Sequence, residues 1–116
     1  MNVAILLTKE PYGSINAAEA VRHALGAVAN DMAVTLILTD GGVLTAARGQ
    51  DGTDTGFTSM EGAIKDLLSL RAPVLVDEAS LGPAGLAASG LIEGVTVAEP
   101  AHVTQAIAKA DHTLIF

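Results

Sequence analysis

No cysteine occurs among the 116 residues. That absence excludes disulfides, thiolate metal ligation, thiol redox chemistry and any persulfide carried on this chain, because the thiolate is the sulfur nucleophile. Aromatic residues are scarce at 3%, represented by Tyr12, Phe57 and Phe116. Basic residues are few as well. Lys9, Arg22, Arg48, Lys65, Arg71 and Lys109 are scattered along the chain against 13 acidic residues, giving a formal charge of −7. Phosphate binding depends on clustered lysine and arginine, so neither nucleic acid nor an anionic membrane surface is an expected partner. Long apolar runs are missing too. Val3 to Leu7 and Met32 to Leu38 fall far short of the roughly 18 residues of a membrane helix. No basic segment precedes an apolar one at the start, and Lys9-Glu10-Pro11 follows at once, so a cytoplasmic protein is expected.

What is present is apolar surface. Half the residues are hydrophobic and the mean hydropathy is +0.47. A small domain buries only about 60–70% of its unfolded surface. Association of subunits covers more, so a homo-oligomer or one subunit of a larger assembly is expected. The length fits a single domain spanning 1–116.

The periodicity alternates between strand and helix. Val3 to Leu7 reads as a strand buried on both faces. A loop marked by Pro11 and Gly13 follows. Asn16 with Glu19 three residues later resembles a capping box, and Ala18, Val21, Leu25 and Val28 place one face of a helix inward over residues 16–30. Ala33 to Thr39 is the second strand, Asp40-Gly41-Gly42 a turn, and Val43 to Ala47 a short helical piece. Arg48 to Phe57 reads as a mobile surface loop. Thr58 with Glu61 opens a helix that carries Met60, Ile64, Leu67 and Leu68 on one side. Pro73 to Val76 is the third strand, and residues 77–90 read as turns around at most a short helix. Val95 to Val97 is a brief strand, Pro100 starts the last helix, and His112 to Phe116 closes the chain as a strand. This order predicts an α/β fold: a three-layer α/β/α arrangement around a mostly parallel five-stranded sheet.

In that frame the residues resemble a family. Thr8-Lys9-Glu10-Pro11-Tyr12-Gly13-Ser14 after the first strand, and Thr39-Asp40-Gly41-Gly42-Val43 after the second, are similar to turns of the DsrE/DsrF-like family. Gly90-Leu91-Ile92-Glu93-Gly94-Val95 and Ala110-Asp111-His112 fit the same pattern. The resemblance runs in order over the whole chain and implies a flavodoxin- or Rossmann-like sheet. It also implies trimers, hexamers or mixed-subunit complexes, and a link to sulfur relay or sulfur oxidation. Its sulfur-transferring members carry a cysteine just after the third strand. Asp77 and Ser80 stand in the matching stretch here, and neither side chain forms a persulfide. The resemblance therefore implies a non-catalytic member; neither a cofactor nor a metal is expected.

Other chemistry is less well supported. Ligands of open α/β sheets bind beyond the carboxyl ends of the strands. Tyr12, Gly13, Ser14, Asp40, Gly41, Gly42, Asp77, Glu78 and Ser80 fall in loops expected there, which makes a small-anion or nucleotide module the alternative function. No Gly-x-Gly-x-x-Gly or Walker pattern supports it, and the carboxylates oppose an anion. Glu78-Ala79-Ser80-Leu81-Gly82 nearly matches a nucleophile elbow, but Glu78 replaces the first glycine of that tight turn. His23, His102 and His112 lack the spacing of helical metal ligands. Asp51 and Asp54 lack the oxygen series of a calcium loop. Tyr12 suits either an interface or a seat against its own helix.

Overall fold

The computed structural model describes residues 1–50 and 59–116. Five strands form one sheet: β1 (Asn2–Leu7), β2 (Ala33–Leu38), β3 (Val74–Asp77), β4 (Thr96–Ala98) and β5 (His112–Ile115). Their spatial order is β4-β3-β2-β1-β5 and every neighbouring pair is parallel. The helices are α1 (Asn16–Ala29), α2 (Met60–Ser69), α3 (Glu78–Ala84) and α4 (Pro100–Lys109), with short 3-10 helices at Asp40–Ala46 and Ala88–Gly90. The strands lie within about a residue of where the apolar runs place them.

Because side chains alternate along a strand, each central strand feeds two layers. Val3, Ile5, Leu7, Val34, Leu36, Leu38, Val74 and Val76 point to one face and pack with Ala17, Ala20, Val21 and Ala24 of α1 and Met60, Ile64 and Leu67 of α2. Ala4, Ile37, Leu75 and Ala98 point to the other, where Val103 of α4 meets them. Among the described residues, α4 alone covers the second face. The edge strand β5 is exposed along its length, with Leu114 at 40% and Ile115 at 69%.

Several local expectations are corrected. The helix α1 starts one residue earlier than a capping box would place it: Ile15 is its N-cap, and no side chain caps it. Asn16 instead lies within the first turn and donates to Ser14 Oγ, while Glu19 pairs with Arg22. Ala18 is exposed, and the inward stripe is Ala17, Ala20, Val21 and Ala24. An alanine-rich helix offers little contrast between its faces, so the stripe is hard to orient from sequence. The capping expectation at Thr58 lies outside the described residues, and the observed cap is Ser59, which accepts from the Gly62 N–H. The loop expected at Arg48 to Phe57 lies mostly in residues 51–58, also outside the described residues. Its first residues are tied down, since the Arg48 N–H donates to the Gly90 carbonyl and the Gln50 side chain to those of Thr45 and Ala47. Residues 77–90 hold two helical pieces rather than mostly turns.

Both α1 and α2 end with a non-glycine residue in the left-handed region, Asp31 at φ 61° and Arg71 at φ 63°. In each, the two residues past the cap return N–H groups to the last turn: Asp31 to Val28 and Met32 to Ala27, Arg71 to Leu68 and Ala72 to Leu67. That hydrogen-bond pattern satisfies the final carbonyls and turns the chain sharply into the next strand.

Candidate functional site

The carboxyl end of the sheet gathers the loops that follow β1, β2, β3 and β4. The first two are packed main chain against main chain. The Thr39 N–H donates to the Leu7 carbonyl, and the Gly42 N–H to that of Thr39. A Cβ on Gly42 would sit 2.1 Å from the Leu7 oxygen, so only glycine fits. This contact lets the 3-10 helix begin at Asp40, where a plain turn was expected. The first loop is also tied to the end of the neighbouring edge strand β5, since Thr8 donates to the Phe116 carbonyl through both its N–H and its hydroxyl.

Asp77 ends β3, and Ser80 lies one turn into α3. The Ser80 hydroxyl donates to Asp77 Oδ2 at 2.6 Å and accepts the Asp40 N–H at 2.9 Å. Ser80 is 6% exposed. One hydroxyl therefore clamps the loop after β2 onto the loop after β3, with Asp40 itself in the left-handed region at φ 49°. Among the described residues, the other oxygen of Asp77 is buried without a hydrogen-bond partner, as is the Thr45 hydroxyl. A buried, unpaired acceptor is costly, of order 1–3 kcal/mol. Among the described residues no histidine or lysine hydrogen-bonds Ser80 or Asp77, so the hydroxyl sits in a carboxylate-to-amide bridge without a nitrogen base.

Tyr12 serves a different junction. Its hydroxyl donates to Gln50 Oε1 at 3.0 Å and accepts the Met60 N–H at 3.3 Å, joining the first loop to the start of α2. The Gln50 N–H in turn donates to Glu61, which also pairs with Lys65 at 3.0 Å. The hydrogen bond from Lys65, with that from Gln50 behind it, holds the Glu61 carboxyl below the ordinary carboxylate range. Gly13 and Ser14 shape the approach to α1. Gly13 takes φ 95°, and Ser14 accepts from Asn16. Gly41 presses on the Glu10 side chain, where a Cβ would meet Cγ at 2.9 Å.

The topological switch lies elsewhere. The connection after β3 goes to α3 on the α1/α2 face, whereas the connection after β4 goes to α4 on the opposite face. Between them opens a crevice of about 490 Å³ lined by Glu78, Ala79, Glu99, Pro100 and Ala101. The sequence reading brought Glu78 to this edge but missed Glu99. The available signal was Pro100 at a helix start directly after a brief strand. Two carboxylates here make the crevice unwelcoming to anions. A second cleft, of about 350 Å³, lies at the amino end of the sheet beneath α4, where His102, Gln105 and Lys109 face Thr35, Pro73 and Leu75.

The late Gly90–Val95 motif is structural. The Ile92 N–H donates to the Ala46 carbonyl, Ala47 and Leu91 form an antiparallel bridge, and Ile92 is 2% exposed. The histidines stay apart in role: His23 on α1 packs on Phe116 at 5.2 Å, His102 lies on α4 and His112 on β5. No group of three metal-ligating side chains occurs among the described residues. Nor is any helix among them long and apolar enough to cross a membrane.

A parallel five-stranded sheet with helices on both faces, and loops after β2 and β3 clamped at its carboxyl end, defines an open three-layer α/β protein. The whole chain, residues 1–116, matches the DsrE/DsrF-like family model, and the protein belongs to that family. The crystal structure of the ychN protein from E. coli superposes with a TM-score of 0.91 at 22% identity, covering 100% of this chain and 99% of that one. MTH1491 from Methanobacterium thermoautotrophicum, described as a protein of unknown function, superposes at 0.74 with 12% identity over 99% and 98% of the two chains. No curated protein matches the sequence. Membership ties the chain to the sulfur-relay branch of protein chemistry at the level of family.

Proposed function

We propose that this protein is a non-catalytic, oligomeric DsrE/DsrF-like component of a sulfur-relay or sulfur-oxidation system, acting as a structural or binding subunit. The observation that carries this reading is the clamp at Asp77 and Ser80. The stretch after β3, where sulfur-transferring relatives place a cysteine, holds a buried serine whose hydroxyl already bridges a carboxylate and a main-chain amide. The chain supplies no thiol from any other position. With no persulfide to carry, the fold contributes surface and partner contacts, and a companion subunit contributes the sulfur chemistry. The apolar excess supports assembly, the family resemblance supports a trimer, a hexamer or a mixed complex, and a cytoplasmic setting accompanies this reading. No cofactor enters this reading.

Native mass spectrometry of the protein drawn from its own cell extract tests it. The expected result is a multimer, alone or with a thiol-bearing companion. A monomer without companions would overturn the proposal. A second reading, a small-ligand module at the carboxyl end of the sheet, draws support from the buried unpaired oxygen of Asp77. The carboxylates of Asp77, Glu78 and Glu99 argue against an anion or nucleotide and favour a ligand bringing hydrogen-bond donors.

A further inference from the structure

The two edges of the sheet differ in how they meet solvent. At one end β4 is three residues long, preceded by Glu93 and Gly94 and followed by Glu99 and Pro100. A short strand with flanking charge and proline is a protected edge. At the other end β5 carries no acidic residue from His112 to Phe116, in a chain of net charge −7. Leu114 at 40% and Ile115 at 69% stand side by side on it, exposed on opposite faces of the sheet. Although β5 is only four residues long and follows Asp111, it has no proline beside it and no acidic residue along it.

Its hydrogen-bonding pattern can be read from the pairing with β1. The Phe116 N–H donates to the Leu6 carbonyl, and the Phe116 carbonyl accepts from Thr8. In a parallel ladder alternate residues face the neighbouring strand. His112, Leu114 and Phe116 therefore turn their main-chain groups to β1, while Thr113 and Ile115 turn theirs to the open side.

We propose that β5 pairs antiparallel with β5 of a second copy about a two-fold axis at Leu114, joining the two sheets into one. In this register Thr113 exchanges both of its outward bonds with the second copy's Ile115, and Ile115 does the same with its Thr113. Leu114 meets its own counterpart as a non-hydrogen-bonded pair, where Cα atoms approach to about 4.5 Å. The edge is thus complementary to itself. It is also a stretch along which two strongly acidic molecules can meet without opposing carboxylates. A two-fold contact closes on itself, so it builds dimers and, with a second interface, hexamers. An isolated trimer cannot contain it. The inference rests on the assembly half of the proposed function and assigns it a surface.

The cysteine-free chain makes the test direct. Leu114→Cys places the sole thiol of each copy opposite the other, within the Cα spacing of a disulfide. Mild oxidation should convert this variant to a covalent dimer, whereas Ala18→Cys, on the exposed side of α1, should stay largely uncrosslinked. Ile115→Pro removes an outward N–H without touching the ladder to β1, as edge positions allow. It should leave the circular dichroism intact and weaken self-association in sedimentation by roughly tenfold to a hundredfold, as loss of the Ile115 bond on each side implies. Ile115→Lys should act in the same direction. A wild-type chain that stays monomeric at high micromolar concentration sinks both the assembly and this surface. A wild-type oligomer indifferent to Ile115→Pro and Ile115→Lys, with Leu114→Cys crosslinking no better than Ala18→Cys, overturns the β5 pairing and leaves the assembly standing.

Discussion

Replacing Gly42 with alanine is the sharpest test of how the carboxyl end of the sheet is built. The added Cβ would lie 2.1 Å from the Leu7 oxygen and 2.8 Å from its carbonyl carbon. Real Cβ atoms do not approach within 3 Å, and both atoms it meets are main chain, so no rotamer change relieves the contact. Either β1 or the 3-10 helix must move, and Leu7 is fully buried, so movement there disturbs the core. Overpacking a well-filled site costs about 1–3 kcal/mol, and rigid main-chain neighbours place this case at the upper end or beyond. For a domain of this size about 3 kcal/mol corresponds to a Tm loss of roughly 10 °C or more. Two other glycines calibrate the effect. Gly41→Ala meets the flexible Glu10 side chain first, at 2.9 Å, so its loss should be smaller. Gly26 lies within α1 with nothing within 4 Å of a Cβ, and alanine there should stabilise by about 0.5–1 kcal/mol. Thermal melts of the three variants should rank Gly26→Ala above wild type, then Gly41→Ala, then Gly42→Ala. If Gly42→Ala melts within about 2 °C of wild type, the close packing of the first two loops is wrong.

Three further outcomes follow from named contacts. Thr45→Val removes a buried hydroxyl that has no hydrogen-bond partner among the described residues, while keeping its shape. Urea denaturation should show it more stable by about 1 kcal/mol, and a loss of similar size would mean the hydroxyl is paired. Ser80→Ala strips Asp77 Oδ2 of its donor and leaves the Asp40 N–H without its acceptor. It should cost about 1–3 kcal/mol, which Ser80→Thr should partly restore in the same urea titration. Glu61 tests pH dependence, since Lys65 and Gln50 hold its carboxyl low. A depressed folded pKa contributes stability above the unfolded value, and that contribution is lost as the pH falls through the folded one. Wild type should therefore exceed Glu61→Gln in stability at neutral pH, and the gap should close below the ordinary carboxylate range. A gap independent of pH would show that the Glu61 charge contributes nothing.

Much of the candidate site was legible as positions and little of it as contacts. The loops carrying Tyr12, Asp40, Asp77 and Ser80 could be placed because each follows an apolar run or sits between turn residues. Their pairings could not. Tyr12 reaches Gln50 and Met60, while the Asp40 amide reaches Ser80 forty residues away. Nothing local in either segment encodes a bond across that distance. Glu99 escaped notice for the same reason, since its meeting with Glu78 depends on α3 and α4 leaving the sheet on opposite sides.

The sequence by itself determined the sheet and its chemistry of absence. Runs such as Val3 to Leu7 are apolar on both faces and can be buried only between two layers. A chain without cysteine cannot carry sulfur on a thiolate, whatever its shape. Tertiary structure alone decided the rest: which side of α1 faces inward, where the loops lock, and that α4 packs over the second face. Alanine suits a helix equally well inside or out, so composition leaves such choices open. Long-range packing of main chain and buried hydrogen bonds then resolves them.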